Sequence, residues 1–222
     1  MVAESIAMNK VNKLTELRGL YAIADTNHVR GSELIDAVTA ALRGGARVIQ
    51  YRDKTTRSQH HEEARLLREL CDRHSALLII NDDISLAAEV SADGVHLGRE
   101  DITLEKARVT LGNEFIIGVS CYNQMSRAQR LVQAGADYIA FGSFFESPTK
   151  PEAVSADIGL ITSAKRGLNV PVVAIGGITP ENGAALINAG ADALAVISGV
   201  FGQPDPEQAA RRYTALFTTS ED

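Results

Sequence analysis

The chain has 222 residues, 45% of them hydrophobic and 23% charged, a balance that excludes a disordered or fibrous polypeptide. Its 22 Lys and Arg against 28 Asp and Glu leave a net charge of −6. That argues against non-specific binding to nucleic acid or anionic membrane, but not against small anions held by a local cluster of cations.

Residues 1–13 mix apolar and polar side chains without a continuous apolar core, so they predict a tail or an extra helix and not a secretory signal. Residues 14–222 carry no linker or low-complexity tract and read as one domain, and nothing approaches the run of about 18 apolar residues that a membrane span needs. Cys71 and Cys121 are too few for a disulfide framework and match no zinc spacing. The expected compartment is the reducing cytoplasm. With no Trp and 5% aromatics, the core is expected to be aliphatic and alanine-rich.

Short, near-continuously apolar runs alternate with alanine-rich stretches of helical period. The runs predict strands at Gly19–Ala24, Arg47–Tyr51, Leu77–Ile80, Gly94–Leu97, Phe115–Val119, Tyr138–Phe141, Val170–Ile175 and Leu194–Ile197, as expected of parallel strands buried on both faces. The helices follow at Ser32–Arg43 with a Ser N-cap, Ser58–His74, Ile84–Val90, Thr103–Leu111, Gln124–Ala134, Ile158–Gly167, Pro180–Ala189 and Pro206–Phe217. Thr179-Pro180 reads as a capped start with proline at the first helical position. Three helices close on similar phrases, Gly44-Gly45-Ala46, Gly135-Ala136-Asp137 and Gly190-Ala191-Asp192. Eight strand–helix units in about 200 residues predict an α/β fold, a single (β/α)8 TIM barrel, with a doubly wound open sheet as the alternative.

In such a barrel the chemistry sits at the C-terminal ends of the strands, and that is where this chain places its unusual polar residues. After strand two, alternation puts Gln50, Arg52 and Lys54 on one side and Tyr51 on the other, three donors that suit a multiply charged anion such as a diphosphate. The plainer reading is a solvated strand end with the two cations paired to Asp53. Asp82 and Asp101 end adjacent strands and are read as having no His or Cys nearby, which suits a hard cation such as Mg2+ that draws its other ligands from water and phosphate. Helix capping is the alternative for both, and the better reading of Asp83. Gly176-Gly177-Ile178 and Ile197-Ser198-Gly199 follow strands seven and eight, whose loops commonly bind phosphate through backbone N–H groups, although Gly176-Gly177 can equally make a plain tight turn. Residues 143–157 form a long polar loop holding Ser147, Thr149 and Lys150, which reads as a binding loop or as a solvated one. His96 is read as hydrogen-bonded structure ahead of catalysis, and Cys121 lacks a His–Asn partner set.

Together Gln50-Tyr51-Arg52-Asp53-Lys54, Asn81-Asp82, Asp93-Gly94-Val95-His96-Leu97-Gly98 with Asp101, Gly118-Val119-Ser120, Ser147-Pro148-Thr149-Lys150, Ile175-Gly176-Gly177-Ile178 and Val196-Ile197-Ser198 resemble the thiamine phosphate synthase family in order and spacing, from about Leu20 to about Phe217. The resemblance implies a transferase of alkyl groups that joins 4-amino-2-methyl-5-pyrimidinylmethyl diphosphate to a thiazole phosphate and releases diphosphate. It implies Gln50, Arg52, Lys54, Asn81, Ser120 and Lys150 at the pyrimidine diphosphate, with Arg52, Lys54 and Lys150 stabilising the leaving group. It further implies Ser147, Thr149, Gly177, Ile197 and Ser198 at the thiazole phosphate, and Mg2+ on Asp82 and Asp101. The family usually carries Thr-x-Thr-Lys where this chain has Ser147-Pro148-Thr149-Lys150; serine keeps the hydroxyl. The implied partners are two small phosphorylated substrates, neither nucleic acid nor membrane, with a homo-oligomer left open. Two other functions compete: a thiazole tautomerase on the same barrel, and a non-catalytic sensor of phosphorylated ligands.

Overall fold

Eight parallel strands close into a barrel in the computed structural model, which describes residues 10–55, 59–99, 102–146 and 154–218. The strands are β1 Gly19–Asp25, β2 Val48–Arg52, β3 Leu77–Asn81, β4 Gly94–Leu97, β5 Ile116–Tyr122, β6 Tyr138–Phe141, β7 Val172–Ile175 and β8 Ala193–Val196. Each pairs with its neighbours in sequence, and β8 closes on β1 with Gly19 beside Ala193 and Tyr21 beside Ala195. The open-sheet alternative is thereby excluded.

Period-two alternation divides the apolar side chains into two layers. Leu20, Ala22, Ile49, Tyr51, Leu78, Ile117 and Ile139 face out against the helices, while Tyr21, Ile23, Val48, Ile79, Ile116, Tyr138 and Val173 fill the interior. The core is aliphatic and alanine-rich, as composition predicts, but not wholly so. Tyr21, Tyr51, Tyr138 and Tyr213 are all buried, two of them in the barrel's centre.

Helices cover the outside: α1 Gly31–Arg43, α2 His60–His74, α3 Ile84–Glu89, α4 Leu104–Leu111, α5 Met125–Gln133, α6 Gly159–Gly167, α7 Gly183–Asn188, α8 Ser198–Phe201 and α9 Pro206–Thr218. Asp83 caps α3, accepting from the N–H groups of Ser85 and Leu86 at 3.0 and 2.9 Å, and Thr103 caps α4. Two predicted starts are corrected. α1 begins at Gly31 with Arg30 at the cap and no side-chain bond, so Ser32 lies inside the helix. α7 begins at Gly183, because Thr179–Asn182 is held as a turn in which Asn182 Oδ1 accepts from the Thr179 N–H at 2.8 Å. The short helix α8 falls where the sequence predicts only a loop.

The phrases that close the helices acquire a physical role at the bottom of the barrel. Asp93, Asp137 and Asp192 immediately precede β4, β6 and β8, and each carboxylate accepts the N–H of a residue on the preceding strand segment: Leu78 at 2.8 Å, Ile117 at 2.8 Å and Val172 at 2.7 Å. A cation from the helix before that preceding strand completes each, Arg68 of α2, Arg108 of α4 and Lys165 of α6 in turn. Arg47 holds the corresponding place before β2, its N–H bonded to Leu20 O as those of the three aspartates are to their own strands. Residues 10–15 are helical and strap this end, with Lys10 paired to Asp137, Lys13 paired to Asp93, and Leu14 and Leu17 closing the interior.

Candidate active site

A cavity of about 1380 Å³ opens at the opposite end, over the C-terminal ends of the strands. Of the residues singled out in the sequence, Gln50, Arg52, Asn81, Ser120, Gly177, Ile197 and Ser198 line it. Lys54 and Asp82 stand at the ends of β2 and β3 on the same rim. Asp101, Ser147, Thr149 and Lys150 lie outside the described residues.

β2 turns Gln50 and Arg52 inward and Tyr51 outward, where the Tyr51 hydroxyl donates to Glu63 Oε2 at 2.6 Å. Arg52 meets Asp25, the last residue of β1, and Lys54 meets Asp82. Asp53, the local partner that the plainer reading supplies for these cations, instead accepts from Thr26 Oγ1 at 3.0 Å and from the Thr55 N–H at 2.8 Å. The two cations are therefore paired across neighbouring strands, on the rim itself. Asp25 is 3% exposed and lines the cavity, so it holds the guanidinium in place while engaging one of its five donors. The remaining fork is left to meet an anion.

Asp82 has φ +62°, a left-handed conformation that aspartate tolerates better than most residues. Its N–H bonds to His96 O at 2.9 Å, and its Oδ2 also accepts from Asn81 Nδ2 at 2.5 Å. The carboxylate thus faces positive charge, with the Lys54 ammonium standing in for a cation. That donor fits a hard ion such as Mg2+, which needs only one or two carboxylates beside water and phosphate oxygens.

The far side of the cavity is made of backbone. Gly176 and Gly177 have φ of +103° and +61°, and a Cβ at 177 would stand 2.3 Å from Glu146 O and 2.6 Å from Phe145 O. Only glycine fits this turn. Asn182 Nδ2 donates to Gly177 O at 3.0 Å and Tyr213 Oη donates to Ile178 O at 3.0 Å, so both loop carbonyls are drawn outward. The N–H groups of Gly177, Ser198 and Gly199 donate to no carbonyl among the described residues, which makes a cradle suited to a phosphate. At the base of the long loop, Ser143 N–H donates to Val154 O at 3.0 Å and Ala156 N–H to Ser143 O at 2.8 Å.

The floor is a row of polar side chains in which the sequence reading named Gln50, His96 and Ser120 but missed the two tyrosines that join them. Gln50 Nε2 donates to Tyr21 Oη at 2.7 Å, Tyr21 Oη lies 2.9 Å from Tyr138 Oη, Tyr138 Oη lies 2.9 Å from His96 Nδ1, and His96 Nε2 lies 2.9 Å from Ser120 Oγ. Register explains the reach. His96 pairs with Gly118 and Gly118 with Tyr138, so the missing side chain at 118 lets the tyrosine ring span a strand. A Cβ there would lie 1.9 Å from Tyr138 Cζ. Burial pushes the Tyr21 and Tyr138 hydroxyls far above their ordinary range, so both remain protonated. His96 is hydrogen-bonded structure, as the sequence predicts, but within the site. Cys121 is buried and its thiol is pushed up to about 12, which rules out a thiolate near neutral pH.

The geometry can be set beside known proteins. The sequence profile of thiamine monophosphate synthase matches residues 20–200. The chain belongs to the thiamine monophosphate synthase family. It is 52% identical over 202 residues to a thiamine-phosphate synthase of Thioalkalivibrio sulfidiphilus, covering 90% of this chain and 96% of that protein. It is 51% identical over 204 residues to one of Nitrosococcus oceani, covering 91% and 94%. The solved thiamine phosphate pyrophosphorylase of Pyrococcus furiosus superposes with a TM-score of 0.84 at 32% identity, covering 94% of this chain and all of that one. Among the described residues, no helix is long and apolar enough to cross a membrane.

Proposed function

We propose that the rim cavity holds a pyrimidinylmethyl diphosphate beside Arg52, Lys54 and Lys150, holds a thiazole phosphate on the Gly177 and Ser198 side, and joins them with loss of diphosphate. The chain is a transferase, a thiamine-phosphate synthase. The observation that carries the reading of the site is one cavity with two unlike anion sites: side-chain cations at the end of β2, and backbone N–H groups after β7 and β8 that donate to no carbonyl among the described residues.

The chemistry follows from the residue types. The C–O bond to the diphosphate breaks and its electron pair leaves with the oxygen. The aminopyrimidine ring stabilises the benzylic-type cation left behind, and the thiazole nitrogen then supplies the pair for the new C–N bond. No protein nucleophile is required, in keeping with the buried, protonated Cys121. Arg52 keeps its contact with Asp25 and turns its remaining donors to the diphosphate, and Lys54 releases Asp82, so positive charge faces the leaving group as its negative charge grows. Lys150 assists from the long loop. Asp82 and Asp101 would hold Mg2+, which would supply further positive charge to the departing diphosphate. The N–H cradle, with Ser147, Thr149 and Ile197, fixes the thiazole phosphate so that its nitrogen faces the reacting carbon. Asn81 and Ser120 hold the pyrimidine. The cytoplasm suits this enzyme and its two free thiols.

Purified protein given both substrates is expected to form thiamine phosphate and diphosphate in equal amounts, and neither from one substrate alone. Isomerisation of the thiazole phosphate without diphosphate release would make it a tautomerase, and binding without turnover would make it a sensor. A chelator is expected to lower the rate at least about 100-fold, with Mg2+ restoring it.

A further inference from the structure

We propose that the cavity floor is a one-directional hydrogen-bond chain, from Gln50 through Tyr21, Tyr138 and His96 to Ser120, that fixes Gln50 as an acceptor and Ser120 as a donor toward the aminopyrimidine ring. Tyr21, Tyr138 and His96 are thereby positioning residues for substrate recognition. The inference rests on the pyrimidine side of the function proposed above.

The direction follows from counting protons. Gln50 is 3% exposed, and its Nε2 can only donate, so Tyr21 Oη accepts. Tyr21 Oη has one proton of its own. It is buried, and Tyr138 Oη is its one other partner among the described residues. A buried hydroxyl proton without an acceptor costs about 1–3 kcal/mol, so Tyr21 donates to Tyr138. By the same reasoning Tyr138, which is 0% exposed, donates to His96 Nδ1. A neutral imidazole that accepts at Nδ1 carries its proton on Nε2, and that proton goes to Ser120 Oγ. Ser120 Oγ has then accepted, and its own proton is directed into the cavity it lines.

The two ends are now unlike. Gln50 has used Nε2 on Tyr21, and its Oε1 carries no bond to a described residue, so it presents an acceptor. Ser120 presents a donor. An aminopyrimidine offers the complement, an exocyclic N–H and a ring-nitrogen lone pair. A hydroxypyrimidine with an N–H in the ring and a carbonyl outside it reverses both, and a site with buried polar ends rejects such a reversal strongly. The chain thus sets specificity for the amino form through residues that need not touch the substrate.

The tautomer of His96 reports the direction. In uniformly 15N-labelled protein without ligand, long-range 1H–15N correlation, with the His96→Asn variant used to assign the ring among five histidines, is expected to show Nδ1 bare and Nε2 protonated. A proton on Nδ1, or on both nitrogens, overturns the proposal and leaves the synthase activity untouched. The second measurement is Tyr138→Phe, which keeps the ring and removes the central hydroxyl. It is expected to raise KM for the pyrimidine diphosphate about tenfold while leaving KM for the thiazole phosphate within about twofold. It is also expected to let His96 sample both tautomers. Equal changes in both KM values, or none with the tautomer unmoved, contradict the proposal. Failure of the native protein to release any diphosphate would instead refute the function, with the tautomer still measurable.

Discussion

Gly118 is where packing and site geometry meet, and Gly118→Ala tests both. The added Cβ would lie 1.9, 2.1 and 2.4 Å from Tyr138 Cζ, Cε1 and Cε2, well inside contact distance, against a fully buried ring. The ring cannot yield cheaply, because its hydroxyl is held by Tyr21 and His96 and its edge packs on Tyr21 with centroids 6.3 Å apart. Overpacking of this kind costs about 1–3 kcal/mol. Moving the hydroxyl orphans the Tyr21 proton and His96 Nδ1, at about 1–3 kcal/mol apiece. The sum is on the order of 3–9 kcal/mol, which for a chain of this size lowers Tm by roughly 6–36 °C. Thermal unfolding followed by circular dichroism measures it. The companion is Tyr138→Ala, which is expected to cost less in the Gly118→Ala background than alone, because the clash leaves with the ring. A Tm within about 2 °C of the parent, or strict additivity of the two changes, would refute the reasoning.

Three further predictions follow from other parts of the molecule. Gly177→Val forces a β-branched residue to φ +61° against two carbonyl oxygens, so KM for the thiazole phosphate should rise at least about tenfold while the pyrimidine side changes little, measured by steady-state kinetics with each substrate varied. Burial raises the Asp93 carboxyl, but the Arg68 charge and the bonds from Arg68, Lys13 and the Leu78 N–H together outweigh it, and the net position is below the ordinary carboxylate range. A depressed folded value means the stabilisation is present above the ordinary range and is lost as pH falls through the folded value, so urea midpoints should drop on the acid side and Asp93→Asn should flatten that drop. Lys150→Ala should lower kcat strongly at an unchanged Tm, and unchanged turnover would count against its role at the leaving group.

Eight buried strands with capped helices between them were readable as apolar runs, because parallel strands covered on both faces leave few polar interruptions. The barrel's rim followed from the fold, and with it Gln50, Arg52, Asn81, Ser120 and Ser198 as cavity residues. Composition misled at one point. A 5% aromatic content suggested an aliphatic interior, yet tyrosines at inward positions of β1 and β6 build the floor. Their hydroxyls matter only through partners on β2 and β4, and cross-strand partners are set by register, which a single sequence does not display. Asp25 was missed for the same reason: it reads as the end of an apolar run until β2 brings Arg52 beside it. Asn182 was hidden by Thr179-Pro180, which imitates a helix start, although the polar side chain three residues on already marks a turn.

The central claim is that one cavity seats both substrates, the diphosphate on the side-chain cations and the second phosphate on the backbone cradle. A crystal structure of the protein with thiamine phosphate, diphosphate and Mg2+ tests it directly. The account predicts diphosphate density touching Arg52 and the metal, and the thiamine phosphate's phosphoryl group on the N–H groups of Gly177 and Ser198. Density for either ligand at the strap end of the barrel, or both phosphate groups crowded on one side of the cavity, would contradict it.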